Sequence, residues 1–189
     1  TTGGTFDTGG GTTVRQVGLA TLRFTDCENG TLQYAFDASA NGGAAGTITL
    51  SRPLNVIRDC VLANGTVHTY SVPPANGFDA RMTGSWYEEA TSGQGLQFTV
   101  WPSSLFFAPW FTFDPAGSAD DPGRQRWYTL QGSMERAVDG QVEVPIVETT
   151  GGVFDSVPAS RMAIVGKATL TMSACDRATL DYAFDATAG

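Results

Sequence analysis

An internal duplication with a period of 148 residues limits what this chain can fold into more than any other feature. When residues 1–40 are aligned without gaps on residues 149–188, twenty of the forty positions are identical, and Cys27 falls on Cys175. Such identity indicates a duplicated structural unit, because a fixed period in a sequence is typical of repeat architectures. We therefore expect the chain to be cut from a longer array of this repeat.

Apolar and polar residues alternate along several short runs, as they do in strands with one buried face. Leu96, Phe98 and Val100, for example, alternate with Gln97 and Thr99. Between the runs lie turn-forming Asn-Gly and Asp-Gly pairs, and no run has a convincing helical period. From Trp86 onward, the alternation predicts strands near 84–88, 95–101, 105–113, 125–132, 141–148, 162–173 and 178–185.

These runs predict an all-β fold, an antiparallel meander that forms a barrel or a sandwich of about eight strands per repeat unit. The run at 105–113 contains Pro109, which indicates an edge strand or a bulge because proline cannot donate to a strand ladder. Tight turns between successive runs favour neighbours that pair in chain order.

The repeat also divides the chain. Residues 1–60 correspond to the C-terminal half of one repeat unit, with strands and a disulfide, and residues 61–82, rich in Pro, Gly and Asn, are a predicted linker. Residues 83–189 are a second unit that lacks its last strand, the one equivalent to residues 46–51. A sheet without its last strand has unpaired edges, and such edges recruit other strands.

The three cysteines are widely spaced, at Cys27, Cys60 and Cys175. We expect a disulfide between Cys27 and Cys60, while the partner of Cys175 would lie 148 residues beyond Cys60, past the last residue. The chain has no Cys-x-x-Cys and one histidine, His68, so we expect no metal site.

The charge of the chain excludes several classes of partner. The formal net charge is −8, and Lys167 is the single lysine. Nucleic acids and anionic membrane surfaces require clustered Lys and Arg, so we expect neither as a partner. No stretch approaches the roughly 20 apolar residues of a membrane-spanning helix, so we expect no membrane insertion. A weakly charged surface rich in Thr, Ser, Gly and Asn is typical of a secreted or cell-surface β protein.

Several short motifs follow one another in a characteristic order. Gly84-Ser85-Trp86-Tyr87 is followed by Ser92-Gly93-Gln94-Gly95, by two aromatic strands and by a Thr-Leu-x-Tyr-x-Phe-Asp segment at residues 179–185. This order resembles uncharacterised secreted proteobacterial repeat proteins with a Gly-Ser-Trp-Tyr…Ser-Gly-Gln-Gly opening, which implies an extracellular repeat architecture and no activity. Glu89 departs from that class, which has Pro there. The opening also resembles avidin-type barrels, a likeness of fold alone.

Four aromatic residues are candidate ligand-binding groups: Trp86, Trp110, Trp127 and Tyr128. Such rings at the mouth of a barrel can stack on a sugar or enclose an apolar ligand, and the alternative is that they fill the core. For catalysis, His68 lies in the predicted linker, and adjacent Glu88 and Glu89 point to opposite faces of a strand. We therefore expect no enzyme, no catalytic residue and no cofactor.

The function that these features favour is a non-enzymatic extracellular structural or adhesive β module that associates with itself by strand complementation. Residues 46–51 either fold back to close the second unit or complement a neighbouring molecule. The second arrangement is head to tail and generates filaments. The alternative function is a β-barrel that binds a carbohydrate or a small apolar ligand.

Overall fold

The fold comes from a computed structural model. The structure describes residues 2–5, 8–51, 60–61, 65, 67–68, 78, 82–91, 93–101, 105–114, 125–154, 160–174 and 176–186. Two compact units make up the chain, one of Thr1–Thr13 with Pro73–Gly189 and the other of Val14–Val72. Most of the predicted linker at 61–82 lies outside the described residues.

The described residues form fourteen strands joined by turns and short 3-10 segments. In chain order the strands are β1 (Thr2–Thr5), β2 (Thr8–Thr13), β3 (Gly18–Phe24), β4 (Asn29–Phe36), β5 (Ala45–Ser51), β6 (Cys60–Val61), β7 (Val67–His68), β8 (Gly84–Trp86), β9 (Gly95–Val100), β10 (Leu105–Phe113), β11 (Gln125–Ser133), β12 (Gln141–Gly151), β13 (Ser160–Ala174) and β14 (Arg177–Phe184).

The larger unit is built on a seven-stranded antiparallel sheet whose neighbours follow one another from β8 to β14. In the smaller unit, β3, β4 and β5 form a three-stranded antiparallel sheet. The strands β1 with β2, and β6 with β7, form two-stranded sheets. The predicted all-β antiparallel meander is therefore confirmed, and β8 to β14 begin and end within three residues of the predicted positions.

The seven-stranded sheet curls into a half-barrel. Trp110 of β10 and Tyr182 of β14 have ring centroids 5.1 Å apart, although three strands lie between β10 and β14. In a flat sheet with strands about 4.8 Å apart, those two rings would be separated by roughly 19 Å. Strong curvature therefore brings the concave side chains of β8–β10 and β13–β14 together.

The concave face holds the core because side chains alternate between the two faces of each strand. Buried residues recur at every second position of the central strands: Phe98, Val100, Phe106, Ala108, Trp110, Val142, Val144, Ile146, Ala168, Leu170 and Met172. The convex face carries polar cross-strand pairs, such as the hydrogen bond between Ser85 and Gln97 and the ion pair between Lys167 and Glu143. The sheet thus buries one face and exposes the other.

Pro109 does not lie in an edge strand or at a bulge, and that prediction was wrong. It lies in β10, between β9 and β11, and pairs with Thr129 without a change of register. Pairing between β10 and β9 is present at Phe107 and at Trp110 but is interrupted between them. Pro109 has no N–H to donate, and the sheet accommodates this by leaving a gap in the β9–β10 ladder opposite the proline.

The two hairpins that the sequence alignment makes equivalent have the same register. Each of the seven pairs that join β3 to β4 recurs between β13 and β14, at positions 148 residues later. Leu22 faces Leu32 in the first hairpin, and Leu170 faces Leu180 in the second. The similarity therefore extends from residue identity to strand pairing.

Candidate functional site

A cleft lies between the two edges of the half-barrel. It has a volume of about 320 Å³, and its walls come from β8 and β9 on one side and from β13 and β14 on the other. The side chains that define it are Trp86, Leu96, Trp110, Ala178, Leu180 and Tyr182.

Trp86 forms one wall of this cleft. Because side chains alternate along β8, Ser85 points outward while Trp86 turns to the concave face. Its indole Nε1 donates a hydrogen bond to the carbonyl oxygen of Met82 at 2.9 Å, and its ring stacks on Phe98 with centroids 5.0 Å apart. These two contacts fix the ring, and one edge of it lines the cleft.

Trp110 forms the floor of the cleft and belongs to the core. Its side chain is 6% exposed, and its ring packs on Tyr182 at 5.1 Å and on Phe184 at 6.2 Å. Aromatic pairs at such separations stabilise a core beyond the area they bury. Trp110 therefore combines a packing role with a surface that faces the cleft.

The rim of the cleft supplies the polar groups. Glu88, Thr91 and Gln94 lie there, in the connection between β8 and β9. The Glu88 carboxylate accepts a hydrogen bond from the backbone N–H of Ala90 at 3.2 Å, and Gln94 Oε1 accepts one from Thr112 Oγ1 at 2.6 Å. Apolar side chains thus line the inside of the cleft and polar groups its mouth, and polar and apolar atoms contribute about equally to its lining. Such a composition suits a small ligand that has both kinds of surface.

The other two candidate aromatic residues lie elsewhere. Trp127 is 48% exposed on the convex face, where it pairs with Phe111 beside a shallow depression of about 710 Å³. Tyr128 is buried below Trp110, with ring centroids 5.8 Å apart. Burial raises the pKa of the Tyr128 hydroxyl, and the nearby carboxylates raise it further. Consecutive residues of one strand point to opposite faces, so these two could not share a site.

Of the cleft residues that sequence reasoning missed, Ala178, Leu180 and Tyr182 form the wall that belongs to β14. Their alternation predicts a strand with one buried face, and β14 has that pattern. Nothing in the local pattern indicates that this strand lies across a gap from Trp86. That proximity depends on the curvature of the whole sheet.

The two equivalent hairpins differ in their neighbours. Strand β4 lies between β3 and β5, whereas β14 has β13 as its only strand neighbour in the part of the chain that the structure describes. Burial differs as well: Leu22 is 52% exposed and its equivalent Leu170 is 1% exposed, and the corresponding values for Phe24 and Met172 are 68% and 8%. The β13–β14 hairpin therefore packs on the core, whereas the equivalent β3–β4 hairpin is exposed and carries an additional strand, β5.

Backbone hydrogen bonds identify which groups of β14 face its outer edge. In β4 the amide of Phe36 donates toward the start of β5, to Ala44 at 2.9 Å, while the next amide, that of Asp37, donates toward β3. Amides alternate in direction along a strand. Gly30 and Leu32 of β4, each an even number of residues before Phe36, therefore direct their N–H and C=O groups toward β5. Ala178 and Leu180 are the equivalent residues of β14, so their N–H and C=O groups point away from β13. These groups define the outer edge of β14, which lies beside the cleft.

Cys27 is disulfide-bonded. The side chain of Cys60 and all of Cys175 lie outside the described residues, so the pairing of Cys27 with Cys60 stays a prediction. Across the described ranges, no three His, Cys, Asp or Glu side chains form a cluster that could hold a metal ion. In the same ranges no helix is long and apolar enough to cross a membrane.

Comparison of the chain with protein-family models, with curated proteins and with solved structures found no match in any of the three.

Proposed function

We propose that this protein is a non-enzymatic, extracellular structural module that assembles by strand complementation at the edge of β14. One observation carries the proposal. The β13–β14 hairpin has the same register as the β3–β4 hairpin. Strand β4 pairs with β5 along the edge that is equivalent to the outer edge of β14. An unprotected edge beside a cleft is a template for another strand, whose backbone hydrogen bonds supply the affinity.

Three further features support this proposal. Natural proteins protect edge strands from association with proline, with inward-pointing charges or with several charged side chains. Strand β14 has no proline, and its two charged side chains, Arg177 and Asp181, lie on the exposed face. The disulfide at Cys27 is typical of proteins outside the cytosol. The low share of charged residues, 16%, agrees with a secreted β protein whose surface is mostly uncharged.

Light scattering across a range of protein concentrations tests the proposal. We expect the mean molar mass of the chain to rise with concentration. The variant Ala178→Pro, which removes an N–H that points away from β13, should stay monomeric, because proline at an edge blocks strand addition and leaves the inner ladder intact. Asp181→Asn, an exposed change on the same strand, should assemble like the parent chain. A parent chain that stays monomeric at every concentration would overturn the proposal.

A second candidate function is the binding of a carbohydrate or a small apolar ligand. The cleft volume of about 320 Å³ lies at the lower end of the usual range for ligand pockets, and Trp86 and Trp110 line it. Titration of tryptophan fluorescence with a panel of glycans and lipids tests this candidate. Saturable changes that Leu180→Lys abolishes and Trp127→Ala preserves would favour it over strand complementation.

A further inference from the structure

We propose that the strand accepted by β14 is β5 (Ala45–Ser51) of a second copy of this chain, in the register that β5 has on β4. This inference rests on the proposed function and names its partner. On β4, Ile48 faces Leu32 and Leu50 faces Gly30. A shift of 148 residues places Ile48 of the incoming strand opposite Leu180 and Leu50 opposite Ala178.

The side chains of the two strands are complementary in size at this register. The inward residues of β14 are Ala178, Leu180 and Tyr182, which become larger along the strand. Those of β5 follow the opposite order when the strands run antiparallel: Leu50 meets the small Ala178, and Gly46 meets the large Tyr182. On β4 the same order holds, with Gly46 opposite Tyr34.

The difference in burial between the two positions favours transfer of β5 from β4 to β14. On β4 the side chains of Ile48 and Leu50 are half-buried, and Gly30 is the single buried residue among the described part of Val14–Val72. On β14 the same two side chains would enter the cleft between Leu96 and Leu180, which pack against the main core. Seven residue pairs form in either position, so the ladders are about equal and the added apolar burial favours β14.

The connection from β4 to β5 provides the hinge for this exchange. It runs over residues 37–44 and includes three consecutive residues in the left-handed region: Asn41 at φ 45°, Gly42 at 65° and Gly43 at 70°. Glycine pays no steric penalty there and adopts extended backbone as readily. Exchange of one element between identical chains is a low-cost route to association.

The resulting contact is head to tail, because β5 of one copy meets β14 of the next. Donor and acceptor are different surfaces, so the contact is heterologous, and each added copy presents a new acceptor edge. Open linear assemblies follow from this geometry unless rotation between neighbours closes a ring.

Disulfide trapping at one predicted pair tests the inference. Thr31 faces Thr49 on β4, so Thr179 should face Thr49 of the donor. The amides at these positions point away from the partner strand, and such non-hydrogen-bonded pairs have Cα atoms about 4.5 Å apart, within the range of a disulfide. Thr49 and Thr179 are both exposed. The full chain carrying Thr49→Cys and Thr179→Cys is oxidised mildly at the concentration where the parent assembles.

The expected result is a ladder of covalent dimers and larger species in which mass spectrometry identifies a bridge between residues 49 and 179. The matched control Thr47→Cys with Thr179→Cys, two residues out of register, should give at least tenfold less of its bridge. A 49–179 bridge within monomers would overturn the inference, because the donor would then be the chain's own β5. Absence of the bridge in a chain that still assembles would overturn it too, while leaving strand complementation itself in place.

Discussion

Two glycines explain at the level of single residues why the equivalent hairpins keep one register. A Cβ placed on Gly18 would lie 2.8 Å from the Cα of Phe36, and one placed on Gly166 would lie 2.9 Å from the Cα of Phe184. The carbonyl oxygens of Ala35 and Ala183 would be nearer still to these two Cβ atoms. Backbone atoms cannot yield as a flexible side chain can, so both hairpins require glycine at their first pair.

The variant Gly166→Ala should therefore lose about 1–3 kcal/mol of unfolding free energy, the usual cost of forcing an extra methyl group into packed structure. Gly84→Ala is the matched control, because a Cβ on Gly84 of β8 meets nothing within 4 Å. We expect that change to lie within about 0.5 kcal/mol of the parent. Urea denaturation followed by tryptophan fluorescence measures both, and equal midpoints for the two variants would refute the steric argument.

Trp110 and Trp127 offer a second comparison between buried and exposed positions. Trp110→Ala should lower the unfolding free energy by about 3–5 kcal/mol, because it removes a large buried ring from the concave face. Trp127→Ala should cost less than about 1 kcal/mol, because nearly half of that side chain is already in water. Thermal unfolding monitored by circular dichroism compares them. An unchanged melting temperature for Trp110→Ala would place that ring outside the core.

At the level of strands, local alternation together with turn residues was sufficient to predict β8 to β14, although β10 is apolar at nearly every position and β11 and β12 bury consecutive residues. The prediction failed at Pro109, since a sequence cannot indicate whether one ladder tolerates a gap. The candidate site was predicted in part: Trp86 and Trp110 line the cleft, whereas Trp127 and Tyr128 do not. The cleft itself depends on curvature across seven strands, which no short segment encodes.

The sheet of β3, β4 and β5 depends on covalent support more than the seven-stranded sheet does. Among the described residues of this sheet, only Gly30 is buried, so little apolar surface is buried to stabilise it. The proposed disulfide between Cys27 and Cys60 closes a loop of 34 residues. On the chain-entropy model, such a loop contributes about 3–4 kcal/mol of stability.

Reduction should therefore loosen this sheet first. With reductant present, trypsin should cleave after Arg23 in β3 at least tenfold faster than without it, while cleavage after Lys167 in β13 should change little. Timed digestion followed by mass spectrometry gives both rates in one sample. If Arg23 keeps its protection after the disulfide is reduced, the sheet does not depend on that bond.

In the molecule as a whole, two structural observations support the proposed assembly. In the described residues the larger unit has a curled core with β14 at one edge of its sheet beside a cleft, and the smaller unit holds a strand already paired to an equivalent hairpin. In the proposed exchange, the backbone hydrogen bonds that β5 loses on β4 are regained on β14. The proposed assembly uses no catalytic group.

Hydrogen exchange of the β14 amides, resolved to single residues, measures strand addition at this edge. We expect the amides of Ala178 and Leu180, which point away from β13, to exchange rapidly in dilute protein and to become protected, by a factor of at least ten, at concentrations where the chain assembles. The amides of Thr179 and Asp181, which face β13, should be protected in both conditions. Protection of Ala178 and Leu180 already in the dilute monomer, or their unchanged rapid exchange in the assembled state, would contradict the account.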